Sequence, residues 1–169
     1  MAARVVNVIV AGLGGQGVIK ASDILADAAF RAGLDVKKAE IHGMSQRGGS
    51  VTSDVRFGSE VLSPMIPPGE ADYLLVLAPS EVDVTRPLLS ATGVLIPPDA
   101  IPEEKLANKR SLNVALLGIV SLNLDIPLDC WQAALRSNLP ERLMAVNEAA
   151  FRLGRETPLP RMPAHRRPS

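Results

Sequence analysis

Residues 5–33, VVNVIVAGLGGQGVIKASDILADAAFRAG, place a strand, a glycine loop and a helix in direct succession. Val5 to Ala11 is an apolar, β-branched run of the kind a strand buried on both faces requires. Gly12-Leu13-Gly14-Gly15-Gln16-Gly17 then fits G-x-G-x-x-G. Beyond it Val18, Ala21, Ile24, Leu25, Ala28 and Ala29 recur at helical spacing on one face, and Gly33 supplies the stop. Strand, glycine loop and helix in that order open a Rossmann-like α/β domain. The apolar start reads as this first strand and not as a signal peptide, because no small-residue cleavage site follows it.

Leu34 to Ile41 continues as a second strand, which predicts a βαβ unit. Ser50 to Phe57 alternates apolar and polar residues, Gly58 to Glu60 reads as a turn, and Val61 to Ile66 as the returning arm of a β-hairpin. Asp72 to Pro79 and Gly93 to Pro98 are further strands, and Ser80 is expected to cap the helix between them, with Glu81 in its first turn. Asn113 to Leu122 is an apolar helix with Asn113 as its cap. Leu128 to Ser137 and Glu141 to Arg155 are amphipathic helices separated by Pro140. The expected fold is a Rossmann-like three-layer α/β domain. It has a mostly parallel sheet, a β-hairpin insertion after the second strand and a helical C-terminal part. Residues 1–155 form this domain, and the Pro-rich, basic residues 156–169 are expected to be a flexible tail.

Composition narrows the function. Of 169 residues, 47% are hydrophobic, enough for a globular core. Eighteen Lys and Arg balance eighteen Asp and Glu, so no net field draws the chain to nucleic acid or anionic lipid. Aromatic residues make up only 3% of the chain and offer little surface on which bases could stack. Cys130 is the single cysteine, and the histidines are His42 and His165. One thiolate cannot hold an iron–sulfur cluster, and no structural zinc set is in view. Cys130, beside Trp131 on an amphipathic helix, is expected in the core. No apolar stretch reaches membrane-spanning length without a charge or Pro, and the expected location is the cytoplasm.

The glycine loop admits two readings. Gly12, Gly14, Gly15, Gln16 and Gly17 would let a phosphate approach the helix N-terminus. They would equally let the helix, or a partner, pack closely on the sheet. A dinucleotide site needs an acid about twenty residues on, at the end of the second strand. Lys37 and Lys38 lie near that spot, Asp35 comes early and Glu40 late.

A second glycine-rich stretch, HGMSQRGGSV at residues 42–51, follows the second strand. The two stretches together, GLGGQGV and HGMSQRGGSV, resemble the γ-type domain of the thiamine-diphosphate-dependent 2-oxoacid:ferredoxin oxidoreductases. The likeness is nearest to the small β-subunit type of the indolepyruvate enzymes. It extends through SDVRFG, SPMIPPGEADYLLVLAPSE and NVALLG to NEAAFRLG at residues 147–154. Enzymes of this family decarboxylate a 2-oxoacid oxidatively with coenzyme A, form an acyl-CoA and pass electrons through iron–sulfur clusters to ferredoxin. The chain has no G-D-G followed by N-N, the signature of a thiamine diphosphate and magnesium site.

The resemblance therefore implies an accessory subunit, inactive alone, with no cofactor bound by this chain by itself. Its large (alpha) partner would carry thiamine diphosphate, Mg2+ and [4Fe-4S] clusters, with ferredoxin as acceptor and an aryl pyruvate such as indolepyruvate as substrate. In that setting His42, Ser45, Gln46, Arg47, Gly48 and Gly49 form a loop facing the shared active-site region. Arg47 could clamp a substrate carboxylate or a coenzyme A phosphate in bidentate fashion, or pair with a carboxylate of the partner. His42 is expected to be a hydrogen-bonded loop residue, Met44 an interface residue and Glu40 a residue that caps or pairs locally. A stand-alone NAD(P)-binding oxidoreductase and a small-molecule-binding module are the alternatives. The first lacks a Tyr-x-x-x-Lys pair, and the second would bind its ligand without a partner.

Overall fold

The computed structural model describes residues 4–43 and 49–160. Its strands are β1 (Val6–Leu13), β2 (Asp35–His42), β3 (Ser50–Gly58), β4 (Ala71–Val76) and β5 (Leu89–Ile96). Its α-helices are α1 (Val18–Arg31), α2 (Pro79–Thr85), α3 (Leu112–Ser121), α4 (Leu128–Asn138) and α5 (Met144–Arg155). One five-stranded sheet has the order β2-β3-β1-β4-β5. The fold is α/β, with helices on both sides of this mixed sheet.

β1, β4 and β5 run parallel, as expected for the Rossmann-like half. The other half departs from the predicted βαβ neighbours. β3 lies between β1 and β2, antiparallel to both. The side chains explain the order. Val51, Ser53, Val55 and Phe57 of β3 are all buried, so this strand belongs inside the sheet. β2 carries Lys37, Lys38, Glu40 and His42, charges and a polar ring that an outer strand can keep in water.

The hairpin partner of β3 is thus β2, and Val61 to Ile66 forms no returning strand. Pro64, Pro67 and Pro68 remove ladder donors from this segment. Side chains take over the remaining groups. Val61 N–H donates to Asp35 Oδ2 at 2.7 Å, and Ile66 N–H to Asp54 Oδ2 at 2.9 Å. Arg56 donates to the Ser63 and Met65 carbonyls at 2.9 and 3.2 Å.

The two sheet faces are covered unequally. Val8, Val10, Val55, Phe57, Leu75 and Ile96 pack beneath α1, α3, α4 and α5. Ile9, Ala11, Leu74 and Val76 on the opposite face meet Ile66, Val82 and Leu88 from the irregular segment and α2. α3 is buried from Asn113 to Ser121, which accounts for the unbroken apolar run from Val114 to Val120. Trp131 of α4 is fully buried with its ring 5.5 Å from that of Phe151, while Cys130 is only partly buried at the margin of the core. Ser80 does not cap α2. The helix opens one residue earlier with Pro79, whose missing N–H would have had no helical partner, and Ala78 precedes it. Among the described residues no helix is long and apolar enough to cross a membrane.

Candidate functional site

The glycine loop caps the C-terminal end of β1. Gly15 and Gly17 adopt left-handed conformations, φ 88° and 81°, which a side chain would strain. Between them Gln16 folds back over the strand ends. Its Oε1 accepts from Leu13 N–H at 2.7 Å, and its Nε2 donates to the Leu77 carbonyl at 3.4 Å. Gly12 makes room for this clasp, since a Cβ there would stand 2.8 Å from Gln16 Oε1. Gln16 thus ties the end of β1 to Leu77 just after β4, at the crevice where a doubly wound fold binds a dinucleotide.

The acid that such a nucleotide would need is also absent from its place. β3 separates β2 from β1, so the end of β2 is not beside the loop. Asp35 is committed to Val61 N–H, and Glu40 lies 3.1 Å from Lys38 Nζ. Lys38 also contacts Asp23 of α1 at 2.5 Å. Of the two local roles open to Glu40, capping and pairing, the structure shows pairing.

The second glycine stretch meets the first. Gly14 N–H donates to the Gly49 carbonyl at 3.0 Å, and Gly43 N–H to the Ser50 carbonyl at 2.7 Å. His42 ends β2 with an exposed ring, its Nε2 3.9 Å from Glu40 Oε2. The expected loop residues Ser45, Gln46, Arg47 and Gly48, and Met44 with them, lie outside the described residues. Gly49 and His42 place the two ends of that loop at the same sheet end as the glycine loop.

Beside the glycine loop opens a cleft of about 840 Å³. Gly15, Gly17 and Lys20 bring the start of α1 to its wall. Lys109 and Arg110 come from the turn before α3, and Arg142 from the turn before α5. Against these four cations stands Glu103, which pairs with Lys109 at 3.3 Å. A helix N-terminus and an excess of guanidinium and ammonium groups make the cleft suited to a phosphate-bearing ligand. Sequence reading missed this set because its members come from four separate segments. The Lys109-Arg110 pair just ahead of an apolar helix was the one visible sign.

Asn113 also belongs to this wall, and not as the expected cap. Ser111 occupies the cap position of α3. Asn113, buried in the first turn, donates from Nδ2 to the Gly17 carbonyl at 3.1 Å. Its Oδ1 accepts from Val114 N–H at 2.9 Å, which fixes the orientation of the amide.

Comparison with known proteins places this arrangement in context. Residues 7–157 match the family described as pyruvate ferredoxin/flavodoxin oxidoreductase. The chain is 36% identical to the indolepyruvate oxidoreductase subunit IorB of Methanothermobacter thermautotrophicus, over 88% of this chain and 95% of that one. The crystal structure of the keto/oxoacid ferredoxin oxidoreductase gamma subunit from Geobacter sulfurreducens superposes with a TM-score of 0.74. It is 26% identical and covers 90% of this chain and 97% of its own. The 2-oxoglutarate:ferredoxin oxidoreductase from Magnetococcus marinus, solved with 2-oxoglutarate, coenzyme A and succinyl-CoA bound, shares the fold with a TM-score of 0.78 at 23% identity. That match covers 91% of this chain but 31% of the longer one.

Proposed function

The chain belongs to the pyruvate ferredoxin/flavodoxin oxidoreductase family, and from that premise we propose that it is the accessory subunit of a 2-oxoacid:ferredoxin oxidoreductase. The reaction is the thiamine-diphosphate-dependent oxidative decarboxylation of a 2-oxoacid to an acyl-CoA. The substrate is an aryl pyruvate such as indolepyruvate, a reading supported by the relative named for that compound. Residues 1–155 form the working domain, and 156–169 a tail appended to it.

The large partner subunit holds thiamine diphosphate, Mg2+ and the [4Fe-4S] clusters, and ferredoxin takes the electrons. A [4Fe-4S] cluster needs four thiolates where this chain has one cysteine, so the donor set here does not fit it. Bound to the partner, thiamine diphosphate supplies the carbanion chemistry of decarboxylation. This chain's own residues bind and orient. The cleft takes the phosphates of coenzyme A against Lys20, Lys109, Arg110 and Arg142, with the N–H groups at the start of α1. The loop from His42 to Gly49 faces the active-site region, where Arg47 clamps a carboxylate or phosphate.

One observation carries this reading: the two glycine stretches, separate in sequence, join through the Gly14–Gly49 hydrogen bond, next to Gly15 on the wall of a cationic cleft. Anaerobic purification of the tagged chain from its native host tests it. A brown partner containing iron and thiamine diphosphate, with coenzyme A-dependent 2-oxoacid oxidation, is the expected outcome. Recovery of the chain alone and colourless would overturn it. Full turnover and unchanged substrate and coenzyme A affinity in an assembled Arg47→Ala complex would sink the role given to that residue.

A further inference from the structure

Gly17 ends the glycine loop and begins α1, and its carbonyl is shared. It accepts the first helical hydrogen bond, from Ala21 N–H at 3.0 Å, and the Asn113 side-chain donor at 3.1 Å. The contact is close, since a Cβ on Gly17 would stand 2.5 Å from Asn113 Nδ2. A peptide unit is planar and trans, so its C=O and N–H point in opposite directions. Fixing the Gly17 carbonyl therefore fixes the Val18 N–H pointing out of the helix start. That N–H is one of the four donors at a helix N-terminus that the helix itself cannot satisfy. Gly15 and Gly17, on either side of Gln16, line the cleft together with Lys20, so the start of α1 borders it.

We infer that Asn113 is a positioning residue: it holds the Gly17–Val18 peptide so that the start of α1 stays presented to the anion in the cleft. The inference rests on the reading that the cleft takes coenzyme A. Asn113 can do this because its own orientation is doubly set, by Val114 N–H on its Oδ1 and by burial in the first turn of α3. α3 is in turn buried from Asn113 to Ser121. A flexible lysine at the rim can adjust to a ligand, but a backbone donor must be aimed beforehand. A polar residue at the head of an otherwise apolar helix is thereby explained.

The test uses the full chain, coenzyme A as probe, and two variants, Asn113→Ala and Asn113→Ser, the second keeping a polar donor on a shorter side chain. Binding is measured by calorimetry and amide hydrogen exchange by mass spectrometry. Loss of one hydrogen bond that aims a donor at an anion is expected to weaken binding roughly tenfold in Asn113→Ala. Exchange should quicken in the peptide spanning residues 14–20 and stay unchanged in β4 and α5, with Asn113→Ser intermediate in both. Unchanged exchange at 14–20 in a folded variant overturns the inference, whatever happens to affinity, because a direct ligand contact alone would leave the free loop untouched. Faster exchange at 14–20 in a chain whose wild type binds no coenzyme A would support the positioning role and overturn the cleft's assignment to coenzyme A. If Asn113→Ala does not fold, the Asn113→Ser exchange pattern decides by the same criterion.

Discussion

Gly118 of α3 and Gly154 of α5 meet with no side chain between them. A Cβ on Gly154 would stand 2.9 Å from the Gly118 Cα and closer still to the Ala115 carbonyl oxygen. Neither obstacle is a flexible side-chain end, so the helices themselves would have to separate. α3 carries Asn113, the partner of Gly17, near its other end, so one helix is held both by α5 and by the glycine loop.

Gly154→Ala should destabilise the chain by about 1–3 kcal/mol or more, the usual cost of forcing an extra methyl into a packed contact. Helix propensity alone favours alanine by up to about 1 kcal/mol, so the sign discriminates between packing and propensity. Urea denaturation followed by circular dichroism measures it. A variant at least as stable as wild type would show that the helices part without cost.

Gln16→Ala leaves the Leu13 N–H and the Leu77 carbonyl without their amide partner. The expected loss is about 1–2 kcal/mol, less if water enters the vacated space. Gln16→Glu preserves one acceptor for Leu13 but offers no donor to Leu77, and should fall between wild type and alanine. Thermal melts of the three chains rank them.

Asp54 is buried, and burial raises its carboxyl above the ordinary value of 3.8, against the Ile66 N–H and Arg56, which lower it. The folded chain thus holds this proton to higher pH than the unfolded chain does. Its contribution to stability is full below about pH 3.8 and is lost as pH rises through the raised folded value. Asp54→Asn keeps an acceptor for Ile66 and removes the titration. Its stability should lack this falling component when wild type and variant are denatured across the acid range.

Cys130 should react slowly with thiol reagents at neutral pH. Partial burial and then the neighbouring Asp129 carboxylate push its thiol above 9.0, so the thiolate is scarce. The alkylation rate should still be climbing above pH 9.0. Cys130→Ala should leave coenzyme A binding unchanged, because the side chain is not among those lining the cleft.

Paired charge reversals at Lys20 and Arg142 should weaken coenzyme A binding by at least tenfold and reduce its dependence on salt. Calorimetry at two ionic strengths reads both effects. Full affinity after reversal would move the ligand away from the cleft.

The Rossmann-like half was legible because its signals are local. The apolar run of β1, the helical spacing of Val18 to Ala29 and the stop at Gly33 each depend on neighbours in sequence, and each matches the structure. The position of β3 was not legible. Its alternation is the same whether it pairs with a returning arm at 61–66 or slots between β1 and β2. The choice falls to the prolines and to Asp35, Asp54 and Arg56, whose side chains bond backbone groups of residues 61–66 that carry no pattern of their own. The cleft was hidden for the same reason, since Lys20, Arg110 and Arg142 form no motif until the fold assembles them. Asn113 was visible at its helix start, but its partner Gly17 was not.

The Gly14–Gly49 hydrogen bond also bears on ancestry. Two stretches that touch through backbone atoms form one unit of inheritance, because a shift in either carries the other with it. Distant kin should then retain both stretches or lose both together.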